Sequence, residues 1–508
     1  MARDRQQYRV ELDASLGAAT QELPYAESAT EATPFRIAVL GDFSGRANRG
    51  IVEAGRVLAG RRPVRVDRDN VDDVIERLAP ELYLSLGDLR ATVRFSELDD
   101  FHPDRLYERL PAFRALRETR ERAAAPVPQG EIGRRGGRAS AGRTAPPPAN
   151  LLDQILGDVP APPGGAAAAP AHSDAGTVRA DPLADFVRRA VAPHIVPETA
   201  PADSERLEEV DQIVGDDLRA VLHQADFQAL ESAWRSVDFL VRRLETDSAL
   251  QVFLIDVSKA ELAADLAGAA GPDSGTHRLL VDSSVGTAGA TPWALLVGLY
   301  SFGPSVDDVH LLHALASTAR AAGAPLVAAA DSRLVGCPSF GSAPDPDDWT
   351  ADETSEWEGL RRSREASYLG LTAPRFLLRL PYGDPDGEPS DVPGFQELSA
   401  PDAHEEYLWG NSAVLVALLH GEAFATEGWA LRPRLDVPGL PLHLMRGGGE
   451  VTAKPCAEAV LTARAVDRIL ERGVMPVQSM KDGDAVRFAR MQSVAEPLAA
   501  LALPFPEP

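Results

Sequence analysis

The runs Phe35–Leu40, Leu250–Val257, Ala294–Tyr300 and Pro325–Ala330 are apolar almost without interruption. A strand with one face on water alternates apolar and polar residues. A continuous apolar run needs cover on both faces, as in a parallel sheet between layers of helix. The segments between the runs supply such helices. Asp307–Ala322 has helical spacing and leads from one apolar run into the next, so the series implies an α/β core with partly parallel pairing. Ser258 and Glu261 stand at capping-box spacing and mark a helix start.

Around this core the chain divides by composition. Residues 1–33 are polar and read as a flexible arm. Residues 34–122 read as one domain: the first apolar run, a short strand at Val64–Val66, a helix within Asp67–Pro80, strands at Glu81–Leu86 and Leu89–Phe95, and a helical pattern through Leu106, Leu110, Phe113 and Leu116 that Pro111 interrupts. Residues 123–150 are rich in Pro, Gly, Ala and Arg and cannot bury enough apolar surface to offset their ordering entropy, so they read as a disordered linker. Residues 151–180 hold a short amphipathic stripe, Leu151, Leu152, Ile155 and Leu156, followed by low-complexity sequence. Residues 181–508 read as the larger domain. It opens with a helix suggested by Leu183–Pro197 and two or more helices over Glu205–Glu245. Further on come a polar surface loop at Ser332–Glu356, a helix over Trp409–Phe424, a helix over Ala457–Arg472, a strand at Met475–Ser479 and a strand or short helix at Val486–Phe488.

Charge and composition exclude several functions. The 508 residues carry a net charge of -25, which argues against a nucleic-acid binder that must neutralise phosphates. No apolar stretch reaches the roughly 18 residues of a membrane span. The first residues lack the apolar core of a signal peptide, so a cytoplasmic location without membrane contact is expected. Cys337 and Cys456 are too few for a disulfide framework or a Cys-rich zinc site, and both read as buried free thiols.

Motifs for catalysis fail on inspection. Leu40–Gly45 (LGDFSG) lacks the Lys-Ser/Thr ending of a phosphate loop and reads as a tight strand-to-helix turn. Asp67–Asp73 has Val71 where a calcium loop needs a ligand. His404 has acidic neighbours but no second histidine, and Cys337 and Ser339 have no histidine close in sequence. No catalytic residue, cofactor site or metal site is expected.

Two series of motifs carry a family resemblance. LGDFSG with Gly41, Asp42 and Phe43, the acidic helix start at Asp67–Asp73, and Phe95, Leu98, Asp100, Phe101, Pro103 and Leu106 resemble the small sheath subunit of type VI secretion systems, the TssB or VipA family. FQALESAWR with Trp234 and Arg235, LGLTAPRFLLRLPYG with Pro374, Arg375, Arg379 and Tyr382, and YLWGN with Trp409 and Asn411 resemble the large subunit, the TssC, VipB or EvpB family, from about Leu151 to Pro497. The resemblance implies an α/β, mixed α+β architecture of tail-sheath type. Its mixed sheets would be flanked by helices, with the linker joining a small-subunit part to a large-subunit part.

It further implies a structural protein that is not an enzyme. Such a protein polymerises around an inner tube of Hcp-type protein, contacts baseplate proteins, and contracts to drive effector delivery. A ClpV-type AAA+ ATPase would recognise a helix of the Leu151–Leu156 type, although that stripe reads equally as a helix folded on its own body. Strand exchange between neighbours would use the arm before Pro34 and the extended segment after it. The small-subunit part lacks its usual C-terminal helices, and the chain stops at Pro508, before the usual large-subunit continuation. A paralogue that caps, nucleates or regulates assembly is the alternative, and an enzyme with an unrecognised site in the α/β core is the third reading.

Overall fold

The computed structural model describes residues 33–86, 89–124, 201–268, 271–343, 345–350, 354–400, 403–447, 450–481 and 483–502. The arm up to residue 32, residues 125–150 of the linker, the Leu151–Leu156 stripe and the helix suggested over Leu183–Pro197 lie outside them.

The first apolar run forms β1 (Phe35–Gly41). In chain order there follow β2 (Val64–Val66), α1 (Val71–Leu78), β3 (Glu81–Leu86), β4 (Leu89–Arg94), α2 (Pro103–Arg109), α3 (Arg114–Ala124), α4 (Pro201–Leu222), α5 (Ala225–Arg243), β5 (Leu250–Asp256), α6 (Lys259–Gly268), β6 (Leu295–Phe302), α7 (Val306–Ala322) and β7 (Leu326–Ala330). The remainder is β8 (Leu369–Ala373), β9 (Phe376–Leu377), β10 (Trp409–Gly410), α8 (Ala413–Glu427), β11 (Asp436–Val437), β12 (Leu444–Gly447), β13 (Glu450–Ala453), α9 (Ala463–Glu471), β14 (Val474–Ser479) and β15 (Val486–Phe488).

One nine-stranded sheet, ordered β11-β15-β14-β8-β7-β6-β1-β5-β2, organises these elements. The strands from β14 through β5 in that order run parallel, and the short strands at the two ends pair antiparallel. The regions 34–122 and 181–508 therefore contribute strands to a single sheet. β1 lies between β5 and β6, with Ile37 opposite Val252 on one side and Leu295 on the other. The expectation that the segment after Pro34 is donated to a neighbour is corrected here. Both edges of β1 are paired within its own chain, which leaves no donor or acceptor row to offer.

Alternation along β1 divides its side chains between two cores. Phe35, Ile37 and Val39 face the layer of α5 and α8, where Trp234, Val237, Leu240 and Leu415 are buried. Ala38 and Leu40 face the layer of α7 and α9, with Leu312, Leu315, Ala316 and Ile469. Burial of each large aliphatic side chain contributes about 1.5–3 kcal/mol, which explains why this strand tolerates so little polarity. Its one charge, Arg36, lies over the rings of Phe253 and Trp293, 4.5 and 4.1 Å from their centroids.

Tertiary context changes several boundaries. The helix expected from Trp409 begins at Ala413, because Asn411 Oδ1 accepts the Ala413 N–H at 3.0 Å and Trp409–Gly410 pairs instead with Phe376–Leu377. The helix expected from Ala457 begins at Ala463, capped by Thr462. The stretch expected as a polar surface loop, Ser332–Glu356, buries Leu334, Val335, Cys337, Phe340 and Trp349. There the Trp349 indole N–H donates to the Ala343 carbonyl at 2.8 Å, so the Asp and Pro residues form turns around an apolar knot. Cys337 and Cys456 are buried and unpaired, and burial pushes both thiols up to about 11. Such thiols are poor nucleophiles at neutral pH. Among the described residues no helix is long and apolar enough to cross a membrane.

Proteolytic cleavage within residues 125–150 is expected to leave the two fragments co-eluting on a sizing column, since β1 is held by parallel ladders on both edges, from Phe35 to Gly41 against β5 and from Ile37 to Leu40 against β6. Separation of the fragments without denaturant would refute this strand order.

Candidate functional site

The sequence motifs converge where residues 34–120 meet the rest of the sheet. β1 ends at Gly41, where an added Cβ would stand 3.1 Å from the Phe43 ring. Asp42 then caps the turn, accepting the N–H groups of Arg46 at 2.7 Å and Ala47 at 2.8 Å. Burial drives the Asp42 carboxyl above its usual range, against the pull of those hydrogen bonds. Phe43 packs on Trp234, centroids 5.2 Å apart, and its carbonyl accepts the Trp234 indole N–H at 2.9 Å.

The remaining donors of this turn point at Asp256, at the end of β5. Its carboxylate accepts from Phe43 N at 2.9 Å, Ser44 N at 3.1 Å, Ser44 Oγ at 2.7 Å and Arg46 Nε at 3.0 Å. Successive backbone N–H groups in a tight turn make an anion-binding concavity. In this protein the anion is an aspartate of the same chain, which explains the phosphate-loop look of LGDFSG without any nucleotide. α6 extends the arrangement. Glu261 accepts from Ser258 N in the expected capping box and also from Glu53 N at 3.1 Å and Arg61 at 2.9 Å. One turn on, Asp265 accepts from Gly55 N at 2.6 Å and from Thr276 N and Oγ1, both at 2.7 Å. Burial works against ionisation of both groups, yet the hydrogen bonds they accept, with Arg61 beside Glu261, hold them below the usual carboxylate range.

A second cluster forms around Arg379, which is 5% exposed. Its guanidinium donates to Glu231 on α5 at 2.8 and 3.2 Å and to Glu397 at 2.6 and 2.8 Å. Arg235, one turn along α5, donates to Glu231 at 2.7 Å and to the Tyr382 hydroxyl at 2.6 Å, and Tyr382 N–H donates to Glu397 at 2.8 Å. Two guanidiniums and two carboxylates thus balance with their hydrogen bonds made, the condition under which buried charge is tolerated. Burial alone would raise the Glu231 carboxyl, but Arg379 and Arg235 hold it low. Burial likewise opposes the charge on Arg379, and the two glutamates outweigh it. Burial pushes the Tyr382 hydroxyl up to about 12. His102 lies edge-on to Tyr382, centroids 4.6 Å apart, and Asp104 accepts from Ser390 Oγ at 2.6 Å, so the cluster reaches residues 34–120 as well.

The other motif residues hold the strand ends. Pro374 follows the last residue of β8. Arg375 donates to Glu458 at 2.6 Å and Glu405 at 3.3 Å and lies 5.9 Å from the Trp409 ring centroid. The Trp409 indole N–H donates to the His404 carbonyl at 2.9 Å. Asn411 Nδ2 donates to the carbonyls of Tyr300 at 3.0 Å and Gly298 at 3.3 Å, at the place where the β6–β7 register shifts between Gly298 and Ser301. Candidate ligand atoms of His404, Glu405 and Glu458 lie within 4.8 Å of one another. Arg375 already fills the place of a cation between the two glutamates, and Lys454 Nζ lies 3.3 Å from His404 Nδ1. Sequence reasoning found the arginines and aromatics, Glu261 as a helix cap and Glu231 within its motif, and missed the tertiary roles of both as well as Asp256, Asp265 and Glu397. The spacing of Glu231 and Arg235, one helical turn, was the available signal.

Arg379→Ala leaves Glu231 and Glu397 buried without their cation and is expected to cost about 3–5 kcal/mol, read as a lower chemical-denaturation midpoint. Burial works against the Glu458 charge, but His404 and Arg375 hold its carboxyl at about 2, against 4.5 ordinarily. Its stabilisation is therefore complete above pH 4.5 and lost as pH falls towards about 2. Arg375→Ala should flatten the dependence of stability on pH in that window, and an unchanged slope would contradict the assignment.

Both clusters lie in regions that match known proteins. Residues 204–495 match the VipB family, EvpB/VC_A0108, tail sheath N-terminal domain. Residues 23–125 match the type VI secretion system family VipA, VC_A0107 or Hcp2. The type VI secretion system sheath protein TssC1 of Pseudomonas aeruginosa is 32% identical over 341 residues, 63% of this chain and 68% of that protein. The turn that seats Asp256 belongs to the VipA-type region, and the Arg379 cluster belongs to the VipB-type region. The chain belongs to the VipB tail-sheath family, carries a VipA-type region in the same polypeptide, and is a structural component of the type VI secretion system sheath.

Proposed function

We propose that this chain is a covalently joined building block of the contractile sheath, which stacks in the cytoplasm around an inner tube of Hcp-type protein, meets baseplate proteins at the tube end and contracts to drive effector delivery. The observation that carries the reading is the seat of β1 between β5 and β6. A VipA-type strand in the middle of a VipB-type sheet makes one folding unit of the two regions, and the joining segment fixes them at one to one and raises their effective concentration. Work done on such a unit acts on a continuous sheet rather than on a separable contact. The role is that of a scaffold and not an enzyme: the turn and the charge clusters that look chemical bind groups of their own chain.

Neighbouring units would be linked by strand addition, with residues 1–32 as donor. The β12–β13 hairpin suits the acceptor, because among the described residues neither of its outer edges is paired. After contraction, a ClpV-type AAA+ ATPase would take the Leu151–Leu156 stripe.

Negative-stain electron microscopy of the purified chain, alone and with the tube protein, tests the central reading. Tubules or cogwheel rings are expected. Monodisperse single particles under both conditions would replace it with a capping or regulatory role. For the ATPase, Leu152→Asp with Ile155→Asp should abolish co-sedimentation while leaving the melting temperature unchanged, and retained binding would remove the stripe from this role.

A further inference from the structure

Resting on the sheath reading, we propose that copies of this chain also contact one another through an acid-rimmed cleft on one copy and a basic, valine-flanked surface on the next. The cleft encloses about 540 Å³ beyond the carboxyl ends of β1, β5 and β6. The chain leaving β1 turns towards β2, and the chain leaving β6 turns towards β7 on the other side. In open α/β sheets such a divergence opens a crevice at the strand ends, and ligand sites favour that place. The volume falls in the roughly 300–1,000 Å³ range of binding pockets. Ala229, Ala233 and Ala263 are among its lining residues, and side chains so small let a partner approach closely.

Acidic groups surround this apolar surface. Asp226 accepts from Asn48 at 2.7 Å, and Asp308 is paired with Lys259 at 2.6 Å. The Asp307 carboxylate has no hydrogen-bond or ion-pair partner among the described residues. It also lines a neighbouring cavity of about 390 Å³ that continues the cleft along α6 and α7.

The complementary surface lies on the other flank of α6. Glu261 and Asp265 fix the backbone of Glu53 and Gly55 there, as described above, so the surface is presented rigidly. Arg61 is engaged by Glu261, but the guanidiniums of Arg56 and Arg62 are exposed and have no partner among the described residues. Val52 is 53% exposed and Val57 56%. Exposed arginines beside exposed valines make a basic, partly apolar patch on a chain of net charge -25. They match the cleft in both respects, cation to carboxylate and apolar to apolar. Two different patches of one chain meet head to tail, which is a heterologous contact. Such contacts propagate into rings or helical assemblies rather than closing a dimer.

The test is a charge swap in the full chain. One variant carries Asp226→Lys and Asp307→Lys, a second carries Arg56→Glu and Arg62→Glu, and a third carries all four. Sedimentation velocity is expected to show association weakened about tenfold or more in the first two, the effect of turning attraction into repulsion, and restored at least in part in the third. Thermal melts control for folding. If the Arg→Glu variant unfolds, Arg56→Gln with Arg62→Gln serves in its place, and its association should fall as well. A wild-type chain that assembles while the paired variants assemble equally well overturns the contact alone, as does a fourfold variant no better than its parents. A wild-type chain that never sediments above a single protomer overturns the sheath reading and the contact with it.

Discussion

The structure depends on the insertion of β1 between β5 and β6. Remove it, and the hydrogen-bonding edges of two central parallel strands face each other across a gap, and both helix layers lose the side chains that alternate from that strand. Sheet edges are tolerated when they are short or covered. The ends of this sheet, the three-residue β2 and the two-residue β11, meet that condition. Long unpaired edges at the middle of the sheet would not. The VipA-type region is therefore a structural part of the VipB-type sheet.

The same logic places the charges. A loop that leaves the end of a central strand carries N–H groups that have lost their ladder and still need acceptors. Asp256, Glu261 and Asp265 provide them, and each carboxylate comes from the VipB-type region while the loop comes from the VipA-type region. Apolar burial gives the association its strength without fixing its register. The directed carboxylate bonds fix register, because a slip of one residue would leave a buried acid without donors. The Arg379 cluster does the same for α5 and the segment that follows β9.

Legibility in the sequence followed the range of the interaction. β1 to β7, β14, α7 and the Ser258–Glu261 capping box rest on neighbours a few residues apart, and the sequence pattern revealed them. The order of the sheet rests on contacts more than 200 residues apart, such as Phe43 with Asp256, and nothing in the spacing of either residue announces the other. Ser332–Glu356 misled because Asp and Pro dominate its composition, while its fold is decided by the fewer apolar residues that reach the core. Trp409 misled in the opposite sense. Apolar residues stand on both sides of Gly410–Asn411–Ser412, but the hydrogen bond that Asn411 accepts from Ala413 delays the helix. Pro374, Arg379 and Tyr382 stood out as motif residues, yet the sequence named no partner for Arg379, because Glu397 lies across a loop and Glu231 on a helix of another layer.

Charge balance then separates the inside of the molecule from its outside. In the Arg379 cluster guanidiniums and carboxylates match one for one, and at the VipA-type loop the three acids are answered by backbone N–H groups and by Arg46 and Arg61. The excess of acid must therefore be carried largely by the surface, where like charges on neighbouring copies repel over about a Debye length, near 8 Å at physiological ionic strength. A protein of this kind can stack only where that repulsion is relieved locally, by cations set against carboxylates or by strands whose pairing does not depend on charge. The arginines beside Val52 and Val57 and the free edges of the β12–β13 hairpin are two places on the described surface where those conditions are met.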